Sequence, residues 1–173
     1  MANLAKQQLR ASLSALRPAS SEGLTEQLVE LAQMLNVRTM ASYSPTASEP
    51  DVSGFNHWAK SQGTLLLPRV LGEELEFAAG EMASGAFGLS EPLGDAVALS
   101  EIELIIVPAL AADRLGYRLG KGKGFYDRLL PKLLAVSCAV VFENELLDSL
   151  EVEPHDQQTD FVVTPKKTIR VAS

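Results

Sequence analysis

The chain is poor in the residues that build several common kinds of site. Among 173 residues there is one cysteine, Cys138, and two histidines, His57 and His155. A lone cysteine excludes an intrachain disulfide and a cysteine-ligated metal cluster, and the two histidines have no cysteine partners for a zinc site. Cys138 lies in an apolar run and reads as an inert core residue. His155, beside Pro154, reads as a turn residue. Aromatics make up 6%, with one tryptophan. Phe55 and Trp58 fall on a short helical pattern and read as core rather than as a stacking platform. No apolar run approaches the roughly twenty residues of a membrane span. Basic residues are the minority, 15 against 22 acidic for a net charge of −7, which excludes broad nucleic-acid or membrane-surface binding. No Gly-x-Ser-x-Gly elbow or other nucleophile signature is present. Residues 1–16 carry Lys6 and Arg10 through their apolar positions, unlike a secretory signal. A cytoplasmic monomer with small-molecule partners is the expectation.

Against this acidic background, residues 114–128 stand apart. Four of the twelve glycines (Gly116, Gly120, Gly122, Gly124) fall within nine residues, interleaved with Arg118, Lys121 and Lys123. From Asp113 to Lys132 there are six basic residues and two acidic ones. Glycine permits positive φ and close backbone approach. Successive bare N–H groups form an anion-binding nest, and a following helix adds the positive end of its dipole. The pattern is that of a polyphosphate cradle, with a plain solvated turn as the alternative. A Walker loop is excluded because Lys121 precedes Gly122 rather than Ser or Thr. The dinucleotide fingerprint is excluded because Phe125 stands where its third glycine belongs.

Length and an apolar content of 46% suit one domain, residues 1–173. Leucines at helical spacing predict a helix over residues 2–16, stopped by Pro18. A second helix, starting at Ser20-Ser21-Glu22, shows an apolar face of Leu24, Leu28, Leu31, Met34 and Leu35. Strands are predicted at residues 39–43 and 64–70, with 75–79 pairing beyond a turn at Gly72. Residues 80–94 read as irregular. Residues 102–110 and 136–142 are nearly all apolar, as central strands covered on both faces must be. A helix over 125–130, cut short by Pro131, and a last strand at 161–164 complete the pattern. Alternating helices and apolar strands predict an α/β fold with a mostly parallel sheet and helices on both faces.

Asp127, just past the glycines, reads either as a Mg²⁺ ligand beside bound phosphates or as an ion-pair partner of Arg128 or Lys123. Asp156 offers a second oxygen ligand or caps a turn. If both hold one ion, their loops must share an edge of the sheet. Such a site suits positioning and charge neutralisation, as in phosphoryl transfer. Two rivals stay open: a sugar-phosphate isomerase or CoA-transferase-like enzyme with Glu91 as base, and a non-catalytic nucleotide- or folate-binding protein.

Arg-Leu-Gly-Lys-Gly-Lys-Gly-Phe-Tyr-Asp at 118–127, after Val-Pro-Ala-Leu-Ala-Ala-Asp at 107–113, resembles the signature of the 5-formyltetrahydrofolate cyclo-ligase family. The resemblance extends to Lys6-x-x-Leu-Arg10, Tyr43-x-Pro45-x-x-x-Glu49-x-Asp51, Leu67-Pro-Arg-Val70, Gly88-Leu-Ser-Glu-Pro92, Pro154-His-Asp156 and Val162-Val-Thr164. It implies a three-layer α/β/α sandwich and ATP-dependent closure of 5-formyltetrahydrofolate to 5,10-methenyltetrahydrofolate through a phosphorylated formyl group. It further implies ATP binding by Lys6, Arg10, Arg118, Gly120, Lys121, Gly122, Lys123, Gly124, Phe125 and Tyr126, with Arg118, Lys123 and Tyr126 catalytic. Ser44, Glu49 and the 121–125 segment would contact the folate, and Asp127 and Asp156 would hold Mg²⁺. The chain departs from the usual family pattern at Ala139, Glu145 and Glu151, where glycine, glutamine and proline are customary.

Overall fold

The computed structural model describes residues 2–172. The chain runs α1 (Ala2–Ala15), α2 (Leu24–Leu35), β1 (Thr39–Ala41), α3 (Ser53–Gln62), β2 (Thr64–Leu71), β3 (Glu74–Ala78), β4 (Met82–Ser84), β5 (Ser90–Pro92) and β6 (Ala96–Val97). It continues through β7 (Leu104–Pro108), β8 (Ala111–Asp113), β9 (Arg118–Leu119), α4 (Phe125–Leu129), β10 (Val136–Val140), β11 (Leu146–Leu147), β12 (Phe161–Thr164) and β13 (Lys167–Arg170).

Eight strands form the main sheet in the order β13-β12-β10-β7-β1-β2-β3-β6. The inner five, β12 to β2, are parallel; β13, β3 and β6 add antiparallel edges. Period-two alternation sorts the central side chains to opposite faces. Met40, Leu104, Ile106, Cys138, Val140 and Val163 meet α2 and α3 through Leu24, Leu28, Leu31 and Phe55. Ala41, Leu66, Ile105 and Val107 turn the other way, toward Leu129 of α4. Each of these larger aliphatic side chains buried from water contributes roughly 1.5–3 kcal/mol. Ala139 lies in the core beside Ala112 and Val162, on the same side as the small sheet.

That second face differs from the expected helical cover. Beside α4, a three-stranded sheet of order β11-β8-β9 lies over β10 and β12, and α1 packs on it through Leu9 and Leu13. Strands of two or three residues are too short to show a period, which is why they were invisible in the sequence. The 80–94 stretch, expected to be irregular, contains the β4–β5 hairpin, and β13 pairs with β12 beyond a turn. Met34, placed by its spacing on the apolar face of α2, is 65% exposed. β1 ends at Ala41, short of the expected residue 43, although the Ser42 N–H still donates to the Leu66 carbonyl of β2 at 2.9 Å; the Tyr43 hydroxyl donates to the Pro50 carbonyl at 2.7 Å across the loop that follows.

Candidate active site

The glycine loop leaves β9 and enters α4. Gly122 (φ 98°) and Gly124 (φ 69°) occupy the left-handed region, open to glycine at little cost. Gly122 also faces Arg10, whose guanidinium carbon would lie 3.8 Å from an added Cβ. The α4 helix is shorter than expected, five residues, and passes into a 3₁₀ turn over Leu130–Lys132 at Pro131. So short a helix has a weak dipole, and positive charge at the loop comes instead from the cations around it.

Those cations come from distant parts of the chain. Arg10 on α1 donates Nε to the Gly120 carbonyl at 2.8 Å. Arg118 on β9, its side chain 4% exposed, donates one Nη to Asp127 Oδ1 at 2.8 Å and the other to the Gln157 carbonyl at 2.7 Å. Burial pulls this guanidinium below its ordinary pKa, against the raising effect of Asp127. Asp127 therefore pairs with Arg118, while Arg128, one of its expected partners, turns to the carbonyls of Glu73 and Lys123. Lys123, the other, holds its ammonium 3.8 Å over the ring of Phe87, from the β4–β5 connection.

The 44–50 loop joins from the C-terminal end of β1. Lys121 Nζ lies 2.6 Å from Glu49 Oε1, and Glu49 Oε2 accepts from the Thr46 N–H and hydroxyl. Burial alone would raise the Glu49 carboxyl, but Lys121 and Thr46 outweigh it and hold it below the usual range. Ser44 is exposed at the start of this loop. Tyr126 on α4 lies within the fields of Glu49 and Arg118, and burial followed by Glu49 pushes its phenol up, so it stays protonated at neutral pH. Phe125 opens α4 between Gly124 and Tyr126. A cavity of about 310 Å³ lies beside this cluster, lined by Arg10, Arg17, Lys121, Ser14 and Ser48. A smaller one, about 70 Å³, is bordered by Lys6, Arg118, Asp156 and Glu151.

Asp156 arrives by another route than expected. Its loop precedes β12, which runs parallel to β7 and β10, so it starts from the edge opposite the glycine loop. It reaches the site because the 111–119 segment crosses that face and Arg118 grips Gln157. The Asp156 carboxylate, with Glu153, holds Lys6 of α1 at 2.6 and 2.7 Å. Glu153, His155 and Asp156 offer ligand atoms within 4.8 Å of one another; Asp127 is not among them. The two carboxylates are hard oxygen donors of the kind Mg²⁺ takes, and the Lys6 ammonium occupies the position between them.

Three participants escaped the sequence reading: Phe87, Glu153 and Arg17. Arg17 forms a buried pair with Glu145 (2.6 Å), donates to the Ala109 carbonyl at 2.5 Å and stacks 5.4 Å from the Phe142 ring centroid. Glu145, at one of the departures from the family pattern, thus ties Arg17 to the turn after β10, while Arg17 itself reaches the end of β7 through the Ala109 carbonyl. Glu91, the base required by the isomerase alternative, accepts the Val70 N–H at 3.0 Å inside the fold.

The protein-family model for the 5-formyltetrahydrofolate cyclo-ligase family matches residues 3–165. A 5-formyltetrahydrofolate cyclo-ligase of Mycolicibacterium smegmatis is 34% identical over 190 aligned residues, covering 98% of each chain. The Escherichia coli K12 enzyme of that name is 34% identical over about half of each chain. Among solved structures, the Aquifex aeolicus 5,10-methenyltetrahydrofolate synthetase superposes with a TM-score of 0.83 at 29% identity, covering 97% of this chain and 93% of that one. A Mycoplasma pneumoniae 5,10-methenyltetrahydrofolate synthetase, 22% identical with a TM-score of 0.74, shares the fold over 91% of this chain and 96% of that one.

Proposed function

The chain belongs to the 5-formyltetrahydrofolate cyclo-ligase family, and from that membership we propose that it converts 5-formyltetrahydrofolate and ATP to 5,10-methenyltetrahydrofolate, ADP and phosphate. The observation that carries this reading is the convergence of Arg10, Lys121–Glu49 and Arg118–Asp127 on one glycine loop. The formyl oxygen attacks the γ-phosphorus, ADP leaves, and a poor leaving oxygen becomes a phosphate ester. N10 then closes on the activated carbon and gives up its proton, and phosphate departs with the former formyl oxygen. No protein nucleophile is required.

Each side chain has a role in alignment or charge neutralisation. Arg10, Lys123 and Lys6 supply positive charge to the phosphates, together with the amides of residues 120–126. Arg118, already tied to Asp127 and Gln157, fixes the wall against which the γ-phosphate lies. Glu49 and Ser44 contact the folate, and protonated Tyr126 donates a hydrogen bond near the reacting oxygens. Phe125 and the 121–124 backbone separate nucleotide from formyl group. Asp127 and Asp156 would hold Mg²⁺, which supplies charge neutralisation at the phosphates. Alignment and preorganised charge each lower the barrier by several kcal/mol.

Purified protein with 5-formyltetrahydrofolate and Mg-ATP is expected to give methenyltetrahydrofolate absorbance with one ADP per product. Equal rates without nucleotide, or no product with it, would contradict the reading.

A further inference from the structure

The 153–156 turn presents two carboxylates side by side. Its closure is tight: the Asp156 N–H donates to the Glu153 carbonyl at 3.0 Å, and the Glu153 N–H donates to Asp156 Oδ2 at 2.7 Å. Two like charges held this close require a compensating cation. Lys6 supplies it, with its side chain 11% exposed and its ammonium 2.7 Å from Glu153 Oε2 and 2.6 Å from Asp156 Oδ2. Yet Lys6 is also the α1 cation nearest the smaller cavity, which Arg118 borders from the other side. An ammonium clamped by two carboxylates has little positive charge to offer a phosphate. A divalent ion needs the same hard oxygens, at about 2.1 Å for Mg²⁺, so the two cations exclude each other from this seat.

We propose that Glu153 joins Asp156 as a divalent-cation ligand and that Lys6 and the metal occupy this seat in alternation, metal entry releasing the ammonium toward the nucleotide phosphates. The inference rests on reading Asp156 as a metal ligand. It adds Glu153 to the ligand set and gives α1 two working positions. His155, 69% exposed with Nε2 3.7 Å from Asp156 Oδ1, stays at the rim.

The test is Mn²⁺ binding to the nucleotide-free protein, followed by electron paramagnetic resonance of the free ion. Removing the resident ammonium in Lys6→Met should tighten Mn²⁺ binding by at least about tenfold, since a charge-assisted competitor is lost. Adding Glu153→Gln to that variant should weaken binding again by a similar factor. An Lys6→Met affinity equal to or below wild type, or one untouched by Glu153→Gln, would overturn the proposal. A second measurement needs no variant: acylation of Lys6 in the wild-type protein, read by mass spectrometry, should speed up as Mn²⁺ is added. An unchanged Lys6 rate would equally overturn it. Neither readout involves turnover, so failure here leaves the proposed reaction standing, and failure of that reaction leaves this test intact.

Discussion

At the scale of single residues, two cations of the site carry different loads. Lys123 is exposed, and its contact with Phe87 is worth roughly 0.5–1 kcal/mol, less than the 1.5–3 kcal/mol of a charge-assisted bond to phosphate. The ring therefore parks the ammonium without competing for it. Lys123→Ala should lower kcat/KM about ten- to a hundredfold and change stability by less than about 0.5 kcal/mol. Arg118→Ala should lower both, because its guanidinium also ties Asp127 to the 153–157 loop. Steady-state kinetics beside thermal unfolding separates the two, and matching profiles would contradict the assignment. Arg17 and Glu145 are 3% and 2% exposed, so neither charge has water to fall back on. Arg17→Met strands a buried carboxylate and should cost about 3–5 kcal/mol in denaturant unfolding, and Glu145→Gln clearly less, since the amide keeps an acceptor for the Phe142 N–H. The Lys6 seat gives a pH signature. Burial would raise the Asp156 carboxyl, but Lys6 holds it below its ordinary value; the bond to Lys6 also lowers Glu153. Carboxylates so depressed stabilise the fold above their unfolded pKa, and the contribution disappears as pH falls through the lowered values. The stability gap between wild type and Lys6→Met should therefore be open at pH 7 and close below about pH 4. A gap that persists at pH 2 would show that Lys6 acts through packing of its stem instead.

At the scale of elements, the proposed nucleotide site draws two of its cations, Lys6 and Arg10, from α1. That helix sits on the small sheet through Leu9 and Leu13 while carrying Lys6 and Arg10 to opposite sides of the site. Leu13→Ala should cost about 2–5 kcal/mol if the site cannot collapse. It should also raise KM for ATP more than KM for the folate, whose proposed contacts lie on the 44–50 loop. Equal changes in both would separate α1 from nucleotide binding. α2 was legible because its apolar positions repeat at the helical period, and β7 because it is an unbroken apolar run. The glycine loop was legible because its chemistry is contiguous. Strands β8, β9 and β11 were not, since two or three residues carry no period and their pairing is decided by the main sheet beneath them. The pairing of Lys6 with Asp156, 150 positions away, has no local signal either. Arg17 and Phe87 look like ordinary loop residues until the fold brings Glu145 and Lys123 to them.

At the scale of the molecule, the parallel sheet delivers the glycine loop and the 44–50 loop to one edge, and the small sheet brings the 153–157 loop round from the opposite edge. Expecting both carboxylate loops on one edge overlooked this second layer. Four chain segments meet there, held by ion pairs and lining a larger and a smaller cavity, and form the space proposed for the phosphates and a metal. The central claim is that this space joins a formyl oxygen to phosphorus. With 5-formyltetrahydrofolate labelled with ¹⁸O in the formyl group, mass spectrometry of the released phosphate measures that bond directly. The account predicts one labelled oxygen in each phosphate. Unlabelled phosphate, with the label recovered in water, would contradict it.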